Sequence, residues 1–281
     1  MQNPIAIQIA GNDLFNETTL NSIREAGFDG VAISYYGKNN VLDTENWRDR
    51  VREQRRMAEA YGLQVVQTHL PCYDIMLSSE CPNGASADRI RRGIEATALL
   101  GAQSGAWHPR TSFNFHFSTR RAFEDNLREL KSFLPDLQAN GVTLCVENLP
   151  VFPSARDVLF YTNDYHDLID VVDAMDSPYI AACWDTGHAN LMKFSQSAAI
   201  REMGARIRIL HLNSNLGNAD VHFTPSFGTV PWGEVIPALG EIGYNGWFTL
   251  EVSLPTPETM HHYLMHCGES VRVLQRMAGE K

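Results

Sequence analysis

Short apolar segments alternate along the chain with longer amphipathic segments. The apolar segments are IAIQIA (5–10), GVAIS (30–34), LQVVQTH (63–69), QSGAWH (103–108), VTLCVE (142–147), YIAACWD (179–185), IRILHLN (207–213) and GWFTLEV (246–252). Nearly continuous apolar runs of this length are typical of parallel strands that helices cover on both faces. The pattern therefore predicts eight parallel strands separated by helices.

Five of the intervening segments end in the same way, with a glycine after the last predicted helical turn. Glycine at this position adopts the left-handed conformation that ends a helix before the next strand begins. Eight strand–helix units fit an α/β fold, a single (β/α)8 TIM barrel that spans residues 1–281. A doubly wound open sheet is the structural alternative, but the chain contains neither a G-x-G-x-x-G motif nor a P-loop.

Six of the predicted strands end in a residue that can bind a metal ion. These residues are His69, His108, Glu147, Asp185, His211 and Glu251. A barrel brings the ends of its strands to one rim, the C-terminal face on which barrel enzymes carry their active sites. Carboxylates that converge there repel one another unless a cation is bound between them. The sequence thus predicts a divalent metal site, whose oxygen and nitrogen ligands suit manganese, cobalt, magnesium or zinc.

Two loops add further candidates for this rim. His188 follows Asp185 in the motif DTGH, in which Gly187 is expected to permit a tight turn. Asp220 and His222 form a D-x-H motif after the seventh predicted strand, which is a weak signal by itself. These residues are predicted to bind either metal or substrate.

Net charge and cysteine content restrict which partners and which cellular compartment we expect for the protein. The formal net charge of −10 disfavours nucleic acid as the main ligand, because long-range steering of a polyanion would be repulsive. The five cysteines are scattered and odd in number, which indicates a reducing compartment rather than a disulfide framework. The chain shows no signal-peptide pattern and no apolar run of the roughly 18 residues that a membrane helix needs. We therefore expect a soluble, cytoplasmic protein without a membrane partner.

Six motifs occur in order along almost the whole chain: QTHLP (67–71), AWHP (106–109), VENLP (146–150), WDTGH (184–188), LHLN (210–213) and GYNGWFTLEV (243–252). With them the sequence resembles the xylose isomerase-like TIM barrel superfamily, which groups sugar isomerases and epimerases with the apurinic endonuclease family. The resemblance to the first branch implies one divalent metal held by Glu147, Asp185, His211 and Glu251. It also implies that Glu147 and Glu251 form an acid/base pair that acts on a small sugar, sugar phosphate or polyol ketone through an enediolate. His188 would then contact a substrate hydroxyl, and a homo-oligomer is compatible with the resemblance.

The resemblance leaves other activities open. In the endonuclease branch nine residues hold three zinc ions that hydrolyse a phosphodiester, and all nine have a counterpart here: His69, His108, Glu147, Asp185, His188, His211, Asp220, His222 and Glu251. Against this three-zinc phosphodiesterase, residues 209 to 271 contain neither arginine nor lysine, and Ser214 stands where that family has an aspartate. An inositol-catabolism dehydratase or isomerase and a non-catalytic binding barrel are further alternatives.

The positions of three further segments suggest how each is related to the substrate site. Phe227 and Trp232, in the last long loop, are candidates to line a sugar pocket. Residues 71 to 92 form a long connection after His69, and such connections often cover a substrate site. The segment LNSNLGN (212–218) lacks the arginine that well-known ketose epimerases carry there, so substrate binding in that sector is expected to differ.

Overall fold

The computed structural model describes residues 3–10, 14–36, 41–72, 84–111, 119–150 and 160–279. Its strands are β1 (Ile5–Ala10), β2 (Gly30–Ser34), β3 (Gln64–His69), β4 (Ser104–Trp107), β5 (Thr143–Glu147), β6 (Ile180–Asp185), β7 (Ile207–His211) and β8 (Phe248–Leu250). Each strand lies within one of the apolar segments of the sequence. The eight predicted strands are therefore confirmed.

Helices connect these strands throughout the described part of the chain. They are α1 (Glu17–Glu25), α2 (Trp47–Ala60), α3 (Gly84–Leu99), α4 (Thr119–Asn140), α5 (Tyr165–Met175), α6 (Thr186–Met192), α7 (Gln196–Met203), α8 (Trp232–Glu241) and α9 (Pro257–Gly279). The glycines that follow α1, α2, α3, α4 and α8 all have a positive φ, between 64° and 84°. A side chain is disfavoured in that conformation, so these positions end their helices as the sequence predicts.

The strands form one parallel sheet in the order β7-β6-β5-β4-β3-β2-β1-β8, in which consecutive strands are neighbours. The two edge strands meet just beyond β7. The backbone N–H of Leu212 donates to the Thr249 carbonyl at 2.8 Å, and that of Glu251 donates to the Leu212 carbonyl at 3.1 Å. The sheet is thus a nearly closed barrel with helices between its strands, which confirms the predicted fold class.

Alternation along the strands decides which side chains face the barrel axis. A small inner cluster contains Ala106, Cys145, Cys183 and Ile209, whereas neighbours such as Trp107, Val146, Trp184 and Leu210 belong to the core between strands and helices. Side chains two positions apart share a face of a strand. His108, Glu147, Asp185 and His211 each lie two residues after a member of the inner cluster. The rim residues therefore point inward for the same reason that their predecessors do.

The structure bears on three other expectations: those about the cysteines, about membrane-spanning helices and about the long connection after His69. Cys72, Cys145, Cys183 and Cys267 are free, and Cys81 lies outside the described residues. Among the described residues, no helix is long and apolar enough to cross a membrane. Of the long connection after His69, residues 73–83 lie outside the described residues, and α3 begins at Gly84. The later part of that segment is therefore helix rather than loop.

Candidate metal and substrate site

The four residues predicted to hold one metal come together at the C-terminal end of the barrel. Glu147, Asp185, His211 and Glu251 each offer one ligand atom, and these atoms all lie within 4.8 Å of one another. Glu147, Asp185 and His211 are fully buried. Two unit charges about 4 Å apart repel by about 4 kcal/mol at the effective dielectric typical of proteins. Three carboxylates at this spacing, two of them fully buried, need positive charge between them.

His211 supplies part of that charge in the structure. Its Nδ1 lies 3.1 Å from Oε1 of Glu147 and 3.0 Å from Oε2 of Glu251. Burial alone would lower the pKa of His211, but Cys183 and the two carboxylates outweigh burial and raise its pKa well above the usual value. Burial alone would raise the pKa of Glu147 and of Glu251, yet the neighbouring histidines hold both pKa values below the usual range.

Asp185 is held rigidly at the junction of β6 and α6. Its Oδ1 accepts from the backbone N–H of His188 at 2.6 Å, and its Oδ2 accepts from Nδ2 of Asn213 at 2.6 Å. The backbone of Asp185 also pairs with the amide of Asn148, which donates to its carbonyl and accepts from its N–H. Burial is the main reason that the pKa of Asp185 is raised to about 6.

Glycine is required at position 187 for a different reason from the tight turn that the sequence suggests. It lies inside α6 and is absent from the residues with positive φ, so no tight turn requires it. A Cβ at this position would instead overlap Oδ1 of Asn213, the residue that donates to Asp185. The expectation of a turn glycine is therefore wrong, because close packing against the Asp185 network, and not backbone conformation, excludes a side chain.

We expect Gly187→Ala to disturb the site through Asn213. The added methyl must displace this amide, which costs about 1–3 kcal/mol of stability for an overpacked position. Loss of the Asn213 hydrogen bond should also weaken metal binding by about 10–100-fold. Thermal unfolding and Mn²⁺ titration measure the two effects. Gly233→Ala in α8 is the matched control, since no atom lies within 4 Å of a Cβ there. Equal metal affinity in the two variants would contradict the role given to Asn213.

His69 and His108 lie beside the other oxygen of Glu147. Their Nε2 atoms are 3.2 Å apart and lie 3.5 and 3.4 Å from Glu147 Oε2. This oxygen is buried and has no hydrogen-bond partner among the described residues. Cys72, which sequence reasoning did not select, joins these two histidines in a second group of metal-binding side chains. Nothing in its sequence context distinguishes it from a core cysteine.

His188, Asp220 and His222 form a third group with metal-binding potential. Asp220 lies between the two histidines, with Oδ2 3.5 Å from Nε2 of His188 and Oδ1 3.2 Å from Nε2 of His222. Burial alone would lower the pKa of His222, but Asp220 and Glu251 raise it to about 9. His222 has a φ of 48°, a left-handed conformation that costs a non-glycine residue about 1–2 kcal/mol. Such strain is typical of functional loops.

A cavity of about 470 Å³ joins these groups at the barrel mouth. Its wall includes Gln8 of β1, Ser34 of β2 and Tyr36 just after β2, which sequence reasoning missed because those strands end without a metal-binding residue. Tyr36 is 54% exposed, and its ring lies 5.6 Å from both His69 and His108. Gln8 donates to Oε1 of Glu251 at 2.5 Å.

The aromatic residues expected at the pocket are placed elsewhere. Phe227 and Trp232 are not among the described residues that line this cavity. Phe227 is exposed and packs against Phe223, while Nε1 of Trp232 donates to the Pro225 carbonyl at 2.8 Å. The expectation is wrong for both, because the loop folds against itself and these rings pack within it rather than along the cavity.

The four-residue group has the chemistry of a divalent metal site. Its donor set is three carboxylates and one imidazole nitrogen, a mixture that suits hard and borderline divalent ions. The orphaned buried oxygen of Glu147 and the imidazole nitrogen that faces two carboxylates are groups that a cation would satisfy. The residues present therefore fit the metal that their sequence pattern predicts.

The sequence of the chain matches a protein-family model and several curated proteins. The family model described as xylose isomerase-like TIM barrel matches residues 20–274. D-psicose 3-epimerase of Enterocloster bolteae is 26% identical over 246 residues, which cover 83% of this chain and 75% of that protein. Fructoselysine 3-epimerase of Shigella flexneri is 22% identical over 240 residues, which cover 81% of this chain and 82% of that protein.

Solved structures agree with the family model on the fold. A D-tagatose 3-epimerase-like protein has a TM-score of 0.78 at 19% identity and covers 100% of this chain and 99% of its own. A D-psicose 3-epimerase determined in the presence of D-fructose has a TM-score of 0.74 at 16% identity and covers 99% of this chain and 100% of its own. The named curated relatives are epimerases, so the prediction of an isomerase or epimerase is confirmed at the level of the enzyme class. The chain belongs to the xylose isomerase-like TIM barrel family.

Proposed function

We propose that the protein is a divalent-metal-dependent epimerase of a neutral ketose, which inverts the carbon next to the carbonyl group. The observation that carries this proposal is the contact of two carboxylates with one imidazole nitrogen. Glu147, at the end of β5, and Glu251, just after β8, contact Nδ1 of His211 at 3.1 and 3.0 Å. The 3-epimerase activity of the curated relatives supports inversion at that carbon.

Glu147, Asp185, His211 and Glu251 would hold the metal. When bound, the cation would polarise the carbonyl and hydroxyl oxygens of the substrate and so stabilise an enediolate. Epimerisation then needs one base to remove the proton beside the carbonyl and a second group to return a proton to the opposite face. Glu147 and Glu251 offer ligand atoms from two different strand ends, β5 and β8, and are the carboxylates that we assign to these two roles.

The surroundings of each glutamate suit a proton carrier. The lowered pKa of Glu147 and of Glu251 keeps both carboxylates in the ionised form that a metal ligand and a general base both require. The oxygen of Glu147 that faces away from His211 lies beside His69 and His108, and the corresponding oxygen of Glu251 accepts from Gln8. These contacts hold both oxygens of each carboxylate in position.

A neutral substrate follows from the charge of the cavity wall. No lysine or arginine is found among the described residues that line it. Phosphate recognition usually relies on arginine or lysine. Asn213 and Asn215, which occupy the segment where ketose epimerases carry an arginine, are fully buried and hold Asp185 and the Gly187 carbonyl instead. We therefore propose an uncharged ketose rather than a sugar phosphate.

Solvent deuterium exchange tests the proposal directly. Metal-loaded protein is incubated in deuterated water with a panel of neutral ketohexoses and with their phosphate esters. We expect deuterium at the carbon beside the carbonyl of at least one neutral ketose, together with its epimer. Exchange into phosphate esters alone would overturn the neutral-substrate proposal. No exchange into any compound, with metal bound, would favour a non-catalytic binding barrel.

A three-zinc phosphodiesterase is the second candidate, and one observation favours it. Besides the four-residue group, His188, Asp220 and His222 form one group able to bind metal, and His69 and His108 form another together with Cys72. The absence of arginine and lysine from the described cavity wall argues against a phosphodiester substrate. Metal stoichiometry separates the two candidates.

Metal binding is expected to release protons in a pH-dependent way. At pH 7.5 the raised pKa of His211 keeps its ring protonated, so one bound Mn²⁺ should displace about one proton. Below pH 6 Asp185, with a pKa of about 6, is protonated as well. The released protons should then approach two, and apparent affinity should fall more steeply as pH decreases. Calorimetric titration in two buffers of different ionisation enthalpy measures the release. A binding enthalpy independent of buffer at pH 7.5 would contradict the assignment.

A further inference from the structure

A second cavity, of about 490 Å³, lies at the other end of the barrel. The first residues of three strands line it: Gln64 of β3, Ser104 of β4 and Ile207 of β7. His69, at the far end of β3, is five residues from Gln64, which corresponds to roughly 16 Å along a strand. The second cavity is thus separate from the site at the C-terminal rim.

Two features leave this end of the barrel open. The inner cluster above it consists of the small or unbranched side chains Ala106, Cys145 and Cys183 together with Ile209. In most barrels larger branched residues fill this space. In addition, the pairing of β3 with β2 skips Val66, and the pairing of β7 with β6 skips Arg208. Such bulges change the direction of a side chain, and both bulged residues line the cavity.

Two side chains of the cavity, Gln67 and Arg208, can donate hydrogen bonds to a ligand. Gln67 is 1% exposed, and its Oε1 accepts from Oγ1 of Thr249 at 3.3 Å. Its Nε2 is buried and has no hydrogen-bond partner among the described residues. A buried amide without a partner is costly and is usually explained by a water, ion or ligand.

Arg208 provides a positive charge without a balancing acid. Within the described residues it forms no ion pair, and no aspartate or glutamate lines the cavity. Its neighbour in sequence, Arg206, is by contrast paired with Asp173 at 2.6 Å. Arg208 is exposed, so a ligand can reach its guanidinium from solvent, and it is the one cationic side chain among the described residues that line this cavity.

We propose that this cavity binds a small organic anion, whose carboxylate or phosphate oxygens accept from the Arg208 guanidinium and the Gln67 amide. Guanidinium groups recognise both kinds of oxyanion through paired N–H donors. Tyr244 and Trp247, which also line the cavity, offer aromatic surface to the rest of the ligand. The site is independent of the proposed epimerase activity, since no residue is shared between the two cavities.

Calorimetric titration with succinate and with inorganic phosphate, at constant ionic strength, tests the proposal and distinguishes the two anion types. Wild-type protein should bind at least one of them. Arg208→Met should weaken that binding by at least about tenfold. Arg50→Met removes the same charge from an exposed position on α2 and should leave binding unchanged. Gln67→Met should also weaken binding, while preserving the size of the buried side chain.

Three outcomes would overturn the proposal. The first is that neither anion binds to the wild type. The second is binding that is kept in Arg208→Met but lost in Glu251→Gln, which would place the anion at the C-terminal rim. The third is a lower melting temperature for Arg208→Met with unchanged anion binding. In that case the guanidinium only stabilises the C-terminal carbonyl groups of helices that end on this side of the barrel.

Discussion

Glu147→Gln and Glu251→Gln are each expected to reduce epimer conversion by about a thousandfold or more. General acid–base groups contribute about 10²–10⁴-fold, and inversion requires both. Glutamine keeps the shape of the side chain but can neither accept nor return the proton. The two carboxylates contact the same imidazole nitrogen, so neither can take over the position of the other.

The two variants should differ in which epimer still exchanges its proton. A variant that retains only one base can remove the proton from one face, so deuterium should enter one epimer without conversion. The other variant should label the opposite epimer. Glu124→Gln is the control, because this glutamate is exposed on α4 and pairs with Arg120 at 3.0 Å. Retained conversion in both site variants, with metal content verified, would refute the acid/base assignment.

Removal of metal by a chelator is expected to abolish conversion, and one equivalent of Mn²⁺ or Co²⁺ per chain should restore it. Asp185→Asn should weaken metal binding by more than about 100-fold, since even outer hydrogen-bond partners of metal ligands contribute 10–100-fold. Asp176→Asn is a matched control. Asp176 lies in the left-handed conformation at the end of α5, which asparagine tolerates well.

The number of tightly bound ions decides between the two candidate functions. One ion per chain, lost in Asp185→Asn, fits the epimerase. Three zinc ions per chain would instead assign the His69 and His108 pair and the His188, Asp220 and His222 group as ligands, and would favour the phosphodiesterase. Metal analysis of His222→Ala separates these cases, because only the three-ion protein should lose an ion without losing the Asp185 site.

The fold was predictable because its determinants are local and repeated. Apolar runs of strand length, separated by helices that end in glycine, specify strand–helix units, and eight such units in one chain close into a barrel. The rim residues were predictable for a related reason. Alternation along a strand makes Cys145 and Glu147, or Cys183 and Asp185, face the same way. Topology then brings the strand ends together.

The remaining parts of the site depend on contacts between distant segments. Gln8 and Glu251 are 243 residues apart, and Asn213 reaches Asp185 over 28 residues. The requirement for glycine at position 187 likewise comes from close packing against Asn213 and not from the local backbone. The sequence also could not indicate that Phe227 and Trp232 pack within their loop rather than along the cavity, since loop packing has no fixed period.

Sequence by itself therefore determined the barrel and the residues of its rim, because periodic patterns and strand order suffice to place them. Tertiary structure alone decided which oxygen of Glu147 faces which histidine, which amides hold Asp185 and Glu251, and that a cavity opens at the N-terminal end. These features arise from packing between elements, where displacements of an ångström matter, and no period in the chain encodes them.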